Sequence, residues 1–332
     1  MKFKITITFL CFVILSFFSL HTYGQHYRVL SNNYHKDSSI YAVAQVSPNV
    51  FWMGGENAYI KEVDENGTVS DLNLALEGMD VLKITSDDSS IYIVGTGPRL
   101  FVVNKSSKEV KKYSFESKLR KRCFYDILLL PNNKMMLCGG DSRIAEAAKV
   151  IPIGFIAICD RSNPESTFQV LKHNRLKFMF TLELNPTTNE VYASTFNGIH
   201  SVIYKTSNSG IQWQKVCKLN GIIHDLQFDS DGKLWFAGSQ GMKYRKNGMF
   251  GYIENNLIVK RTSSSGCLWR LCQIEDDFYA PTVSGSLLKI SKKTLEYSSE
   301  NTSMNGALYT LANFSNNALI ICGHGKSVCI RN

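Results

Sequence analysis

Apolar and polar positions along the chain repeat one phrase: a short apolar run, a polar turn near Asn, Asp or Ser, a second apolar run ending in a small residue, then a third run. The phrase occurs as YAVAQVSPNVFWMGG (41–55), VLKITSDDSSIYIVG (81–95), YDILLLPNNKMMLCGG (125–140), FTLELNPTTNEVYAS (180–194), HDLQFDSDGKLWFAGS (224–239), WRLCQIEDDFYAPTVSG (269–285) and YTLANFSNNALIICG (309–323). Runs of this length bounded by turn residues are strands. A fixed period of roughly 40 to 55 residues built from short strands predicts a β-propeller with one blade per repeat. Strand a precedes the Asn/Asp turn, b follows it, c follows the small residue, and d leads into the next repeat. The second repeat shows all four, as VLKIT, SIYIVG, RLFVVN and KEVKKYSF.

The seventh repeat is short by one strand. After Tyr309–Ala312, Ala318–Cys322 and Ser327–Ile330 the sequence ends, while His26–Leu30 is a strand-like run left over ahead of the first repeat. If that run completes the last blade, no sheet edge is left open there. The expected fold is therefore all-β: a seven-bladed propeller of four-stranded blades over 25–332, its last blade closed by the N-terminal strand.

The first residues add an address. Lys2 and Lys4 precede an apolar stretch, Ile5–Leu20, followed by a polar segment with small residues at Thr22 and Gly24. This describes a secretory signal peptide over 1–24, and a secreted or periplasmic protein. The apolar stretch is shorter than the ~20 residues a spanning helix prefers, so no integral membrane segment is expected after processing. Removing Lys2 and Lys4 lowers the net charge from +9 to +7, which mildly favours acidic partners. Of the nine cysteines, Cys11 falls in the leader and eight remain. Most sit inside apolar strand runs, where a thiol behaves as a small hydrophobe. Cys267 and Cys272 read as residues of a single strand, too far apart along it to bridge. With no C-x-x-C pair, no metal is expected, and no cofactor either.

Two turns resemble known propeller repeats. Thr206-Ser207-Asn208-Ser209-Gly210-Ile211-Gln212-Trp213 resembles the Asp box, S/T-x-D-x-G-x-T-W, of sialidases and photosystem II assembly-factor-like propellers. Thr206, Gly210 and Trp213 match, whereas Asn208 and Gln212 depart from the pattern. In those proteins the box is a structural hairpin between outer strands, so the resemblance implies a fold and not an activity. Asp229-Ser230-Asp231-Gly232-Lys233-Leu234-Trp235-Phe236 is similar to the D-x-x-G-x-L-W-F repeat of streptogramin-lyase-like and sensor-type propellers. Asp-x-Asp-Gly is also a tight-turn composition in its own right, and the acidic ligands of a calcium loop do not follow it.

Catalytic patterns of those families are missing. Sialidases carry an arginine trio, a Tyr-Glu pair and an Arg-Ile-Pro signature; streptogramin lyases carry a late His and Glu cluster. Here His324 stands between Gly323 and Gly325 without a nearby Glu. No G-x-S-x-G elbow, H-E-x-x-H or phosphate-cradling glycine loop occurs, and no nucleic-acid partner is expected.

Candidate binding residues then come from ring geometry. The d–a and b–c connections emerge on one face. Near the start of strand a stand Tyr41, Tyr125, Phe180, His224, Trp269 and Tyr309, for which packing between blades is the expected use. Their neighbours Asp126, Asp225 and Arg270 are charged, and charges near a crowded channel need partners or water. On the same face blade 3 carries an insertion, Asp141 to Pro152, that includes Arg143. Beside it lie Lys118, Arg120, Lys121 and Arg122, a basic set suited to an acidic partner. The expected function is a binding or assembly module, monomeric, that uses its loop face for a protein or an anionic glycan. A glycan hydrolase or lyase working at the channel mouth, and a sensor-type ligand-binding propeller, remain the alternatives.

Overall fold

Twenty-eight strands in the computed structural model sort into seven antiparallel sheets of four strands each. The structure describes residues 27–31, 38–119, 122–141, 154–172, 178–207, 210–241, 247–255, 257–315 and 318–331. The leader expected over 1–24 lies outside them. The a strands of blades 1 to 7 are Ile40–Ser47, Val81–Ser86, Arg122–Leu130, Phe178–Leu184, Ile222–Phe228, Cys272–Ile274 and Leu308–Ser315. Two short helical turns among the described residues, Glu116–Leu119 and Pro164–Thr167, belong to connections.

Burial follows strand position. The b strands are apolar on both faces, as in Leu234–Ser239 and Ala318–Gly323, where every residue is buried. A strand with two covered faces reads as a continuous apolar run, which is why the period-2 alternation is absent there. The outermost d strands are largely exposed and carry lysines, among them Lys111, Lys112, Lys215, Lys218 and Lys260. Charged edges of this kind discourage pairing with another chain. Seven apolar clusters, one per gap, fill the spaces between neighbouring blades, and a small eighth of Phe178, Phe196 and Ile222 lies between blades 4 and 5. Trp52 of blade 1, for example, packs with Ile84 and Phe101 of blade 2.

The ring closes as the strand count requires. Tyr27–Ser31 pairs with Val328–Arg331, giving blade 7 its outer strand. A polar latch ties this strand pair to blade 6: Tyr27 OH donates to Glu300 Oε2 at 2.7 Å, and Arg331 holds both carboxylate oxygens at 2.7 and 3.1 Å.

The two motif turns are local structures. Asp229 Oδ1 accepts from the Asp231 and Lys233 nitrogens, while its Oδ2 accepts from Trp235 Nε1 at 2.8 Å. Residues 206–213 join strands c and d of blade 4, with Thr206 Oγ1 donating to Gln212 O and Trp213 half-buried against the core between blades 3 and 4. Asn208 and Ser209 lie outside the described residues. All eight described cysteines are free and buried. One strand assignment needs correction. Cys267 and Cys272 do not share a strand, because Trp269–Leu271 leave the ladder between the bridged pair Leu268–Thr282 and the strand that begins at Cys272.

Candidate functional site

Every blade breaks its own ladder at the same place. In blades 1, 2, 3, 4, 5 and 7 the a–b register slips by one residue, leaving Tyr41, Leu82, Tyr125, Phe180, His224 and Tyr309 as the extra residue of a β-bulge. In blade 6 the break is wider, with Trp269–Leu271 opposite two residues of strand b. A bulge re-aims its extra side chain away from the pleat. Here it turns one side chain per blade toward the ring axis.

The small residue that ends strand b is the counterpart of this bulge. A Cβ at Gly55, Gly95, Gly139, Gly238 or Gly323 would run into the carbonyl of Ser39, Asp80, Cys123, Ile222 or Ala307, in each case two residues ahead of the bulged position. Strand a thus lies against strand b too closely for a side chain just before it buckles.

The rings so aimed form a continuous arc. Tyr125 meets Phe180 at 5.8 Å between centroids, Phe180 meets His224 at 5.3 Å, and His224 meets Trp269 at 4.4 Å. Trp269 meets Tyr309 at 5.8 Å, and Tyr309 meets Tyr41 at 5.2 Å. Tyr125 and Phe180 are stacked and the other four pairs are tilted or edge-on, and offset-stacked and edge contacts are the arrangements aromatic quadrupoles favour. With Leu82 of blade 2 the arc encloses a cup of about 280 Å³ on the face of the d–a and b–c connections. The packing expected for these rings holds in part: they touch across neighbouring blades, and Tyr125 and Phe180 also pack against a small buried cluster of Phe178, Phe196 and Ile222; the rings line the channel mouth as well, while residues such as Ile223 and Leu226 fill the gap between blades 4 and 5. Hydroxyls sit at the rim, with Tyr41 OH donating to the Glu56 carboxylate and Tyr125 OH to Asp141 O at 2.7 Å.

The floor is polar. Arg270 Nη1 lies 3.2 Å from Asp225 Oδ1, and Asp225 Oδ2 accepts from the Leu271 nitrogen at 2.8 Å. Burial raises the Asp225 carboxyl, opposed by the charges of Arg270 and Lys83. His224 is 5% exposed, and burial, helped by the charge of Arg270, draws its imidazole down to about 3, so it is neutral at physiological pH. Its Nε2 is buried with no hydrogen-bond partner among the described residues. Beneath Arg270 a second, polar chamber of about 210 Å³ is lined by Lys83, Glu183 and Gln227 among others. Burial pushes the Glu183 carboxyl up to about 8, against the pull of the Phe228 N–H.

Of the residues singled out from sequence, His224, Asp225, Trp269 and Arg270 come together at this cup. The described members of the basic set, Lys118 and Arg122, do not line it. Lys118 Nζ donates to Phe168 O at 2.9 Å. Arg122 opens strand a of blade 3 and is opposite Asp141 in the ladder. Arg120, Lys121 and Arg143 lie outside the described residues. Sequence reading missed Lys83, Asp80 and Glu183, and it missed the bulge, whose signal in five blades was the glycine at or near the end of strand b.

No family model matches the chain, and no curated protein matches it. Solved structures match its fold. A catalytically inactive variant of virginiamycin B lyase from Staphylococcus aureus, solved with quinupristin, superposes with a TM-score of 0.71 at 10% identity, over 92% of this chain and 98% of that one. YCF48 bound to D1 peptide superposes with a TM-score of 0.67 at 15% identity, over 92% and 96%. The extracellular domain of the putative hybrid two-component system BT3049 from B. thetaiotaomicron gives 0.64 at 13% identity, over 90% of this chain and 40% of that one. These are the lyase-like, assembly-factor-like and sensor-type propellers that the turn motifs resemble. At such identities the likeness is one of fold.

Proposed function

We propose that the protein is an exported binding module whose loop face, centred on the aromatic cup, receives a ligand or a segment of a protein partner. The observation that carries this reading is the unbroken arc of six rings above the Arg270–Asp225 pair, one of them His224, whose buried Nε2 has no partner among the described residues. A surface that gathers aromatic faces around a concave mouth with few polar groups has the composition of a ligand pocket. Among the fold neighbours, YCF48 was solved with a peptide and the lyase with quinupristin, and we assign the same use of the scaffold here. Export rests on the leader over 1–24. No helix among the described residues is long and apolar enough to cross a membrane. An anionic partner rests on the net charge and on Lys118, Arg120, Lys121 and Arg122.

The test is a ligand-observed NMR screen of a fragment collection and of the host's exported peptides and glycans against the full chain and its Trp269→Ala variant. Binding that the variant loses, with the fold retained, is the expected result. Ligands unaffected by the variant, or displaced only by substitutions in the basic set, would move the site away from the cup. Intact mass of the exported protein should show Gln25 as the first residue.

A further inference from the structure

The cup has a chemical polarity from wall to floor. Its wall is ring faces over most of the circle, with Leu82, Asp80 and Thr96 on the blade 2 side, and the Tyr41 and Tyr125 hydroxyls are tied to Glu56 and to Asp141 O. Its floor is a guanidinium. Arg270 lines both the cup and the chamber below and engages Asp225 Oδ1 through a single nitrogen, while Asp225 Oδ2 accepts from the Leu271 N–H. A guanidinium carries five N–H donors in a planar fork, and Arg270 has no other hydrogen-bond partner among the described residues. Its side chain keeps 18% of its surface exposed. Close by, His224 offers a buried ring nitrogen that is also unmatched.

Aromatic walls alone suit two opposite guests, an organic cation held over the ring faces or a ring stacked against them. The floor decides between them. A cation entering the cup would meet Arg270, and the two carboxylates at the cup are already engaged, Asp225 by Arg270 and the Leu271 N–H and Asp80 by the Asn57 N–H at 3.0 Å. A carboxylate would instead complete the guanidinium fork with charge-assisted bonds.

Taking the cup as the binding site proposed above, we propose that its ligand is a ring-bearing carboxylic acid, with the ring packed against Trp269 and Tyr309, the carboxylate on Arg270, and a further polar atom meeting His224 Nε2. A free organic acid and the C-terminal residue of a peptide share this chemistry.

The experiment is a titration of the full chain at pH 7 with 3-phenylpropionate, 3-phenylpropanamide, 3-phenylpropylamine and hexanoate, followed by calorimetry and by tryptophan fluorescence. A peptide ending in Phe and its C-terminal amide separate the two sources of the acid. 3-Phenylpropionate is expected to bind saturably and to outcompete the amide and the amine by about tenfold or more, with hexanoate weaker for want of a ring. Arg270→Lys keeps the charge but not the fork and should weaken the acid by about tenfold with little effect on the amide. Equal or tighter binding of the amine, or an acid affinity unchanged in Arg270→Lys, overturns the proposal. So does the absence of saturable binding by all four probes. The head-group series uses the unaltered protein, so poor folding of Arg270→Lys leaves the test intact. If the fragment screen still finds ligands lost in Trp269→Ala while this series fails, the cup stands as a site and only its ligand chemistry is wrong.

Discussion

Asp225 of blade 5 accepts a hydrogen bond from the backbone nitrogen of Leu271 in blade 6, 2.8 Å away. Asp126 of blade 3 does the same for Leu182 of blade 4 at 2.9 Å, and Glu183 of blade 4 for Phe228 of blade 5 at 3.2 Å. Strand a is the inner edge of each sheet, so some of its N–H groups face the channel with no strand beside them, and a buried N–H needs an acceptor. Three acids thus staple four consecutive blades. Two of them also carry a cation, Lys83 on Asp126 at 3.0 Å and Arg270 on Asp225.

Removing Asp225 should therefore cost more than one hydrogen bond, because Arg270 is left buried and unpaired. Asp225→Ala is expected to lower stability by about 3–5 kcal/mol. Asp225→Asn, which keeps an acceptor for the Leu271 N–H, should cost less. Urea unfolding of the two variants beside the parent measures this, and equal losses would show that the ion pair and not the staple dominates.

Gly238 tests the bulge. An added Cβ there meets the Ile222 carbonyl far inside contact distance, and neither backbone can retreat without disturbing the ladder. Gly238→Ala should destabilise by about 1–3 kcal/mol and also shift the His224 ring signals in an NMR spectrum. Gly232, around which the same test finds open space but whose φ is +78°, should lose stability on substitution without moving those signals.

The closing latch should make the protein acid-sensitive. Burial opposes ionisation of Glu300, yet hydrogen bonds from Arg331 and Tyr27 outweigh it and hold the carboxyl below its ordinary value of 4.5. A depressed acid contributes stability that is present above the unfolded value and is lost as pH falls through the folded one. Glu300→Gln should be less stable than the parent at pH 7 by about 1–2 kcal/mol, and the gap should shrink below pH about 4.5. A gap that stays constant to pH about 3 would rule out the charge of Glu300 as its source. Deleting the N-terminal strand should cost several kcal/mol more, since it exposes a sheet edge and removes apolar contacts.

Glu183 should act in the opposite sense. Its folded value of about 8 lies above the ordinary 4.5, so the unfolded chain releases the proton first, and stability falls as pH rises between those limits. Glu183→Gln has no proton to lose. Relative to the parent it should gain about 1 kcal/mol or more between pH about 5 and 8, read as a difference between two thermal unfolding series. Parallel series would place Glu183 ionised in the folded protein.

The blades, the turn at Asp229 and the closure by the N-terminal strand were legible because each is a local pattern or a strand count. Tyr309 shows where legibility stopped. Read by period 2, it belongs to strand a and falls on a face packed against the next blade. The bulge beside it spoils that phase, and a bulge is set by how closely Gly323 lets the Ala307 carbonyl approach, a contact between strands. Lys83 and Glu183 look like solvent-facing positions of amphipathic strands for a related reason. Alternation shows which side chains share a face, and only ring closure shows that one such face borders an enclosed channel. Arg270 and Asp225 drew attention as charges in apolar surroundings, but the Leu271 N–H that orders them has no signature in the side-chain sequence.

Because the bulged residue in six of the seven blades stands outside the ladder, its side chain carries little of the blade's own cohesion. The seven positions beginning with Tyr41 and Leu82 all line the cup on a frame set by the sheets. Substituting one should redraw the recognised shape while the sheets that hold it stay put. A chain with this construction is open to rapid divergence of binding preference among copies with the same backbone, and it offers a ready frame for selecting new pockets from libraries confined to those seven sites.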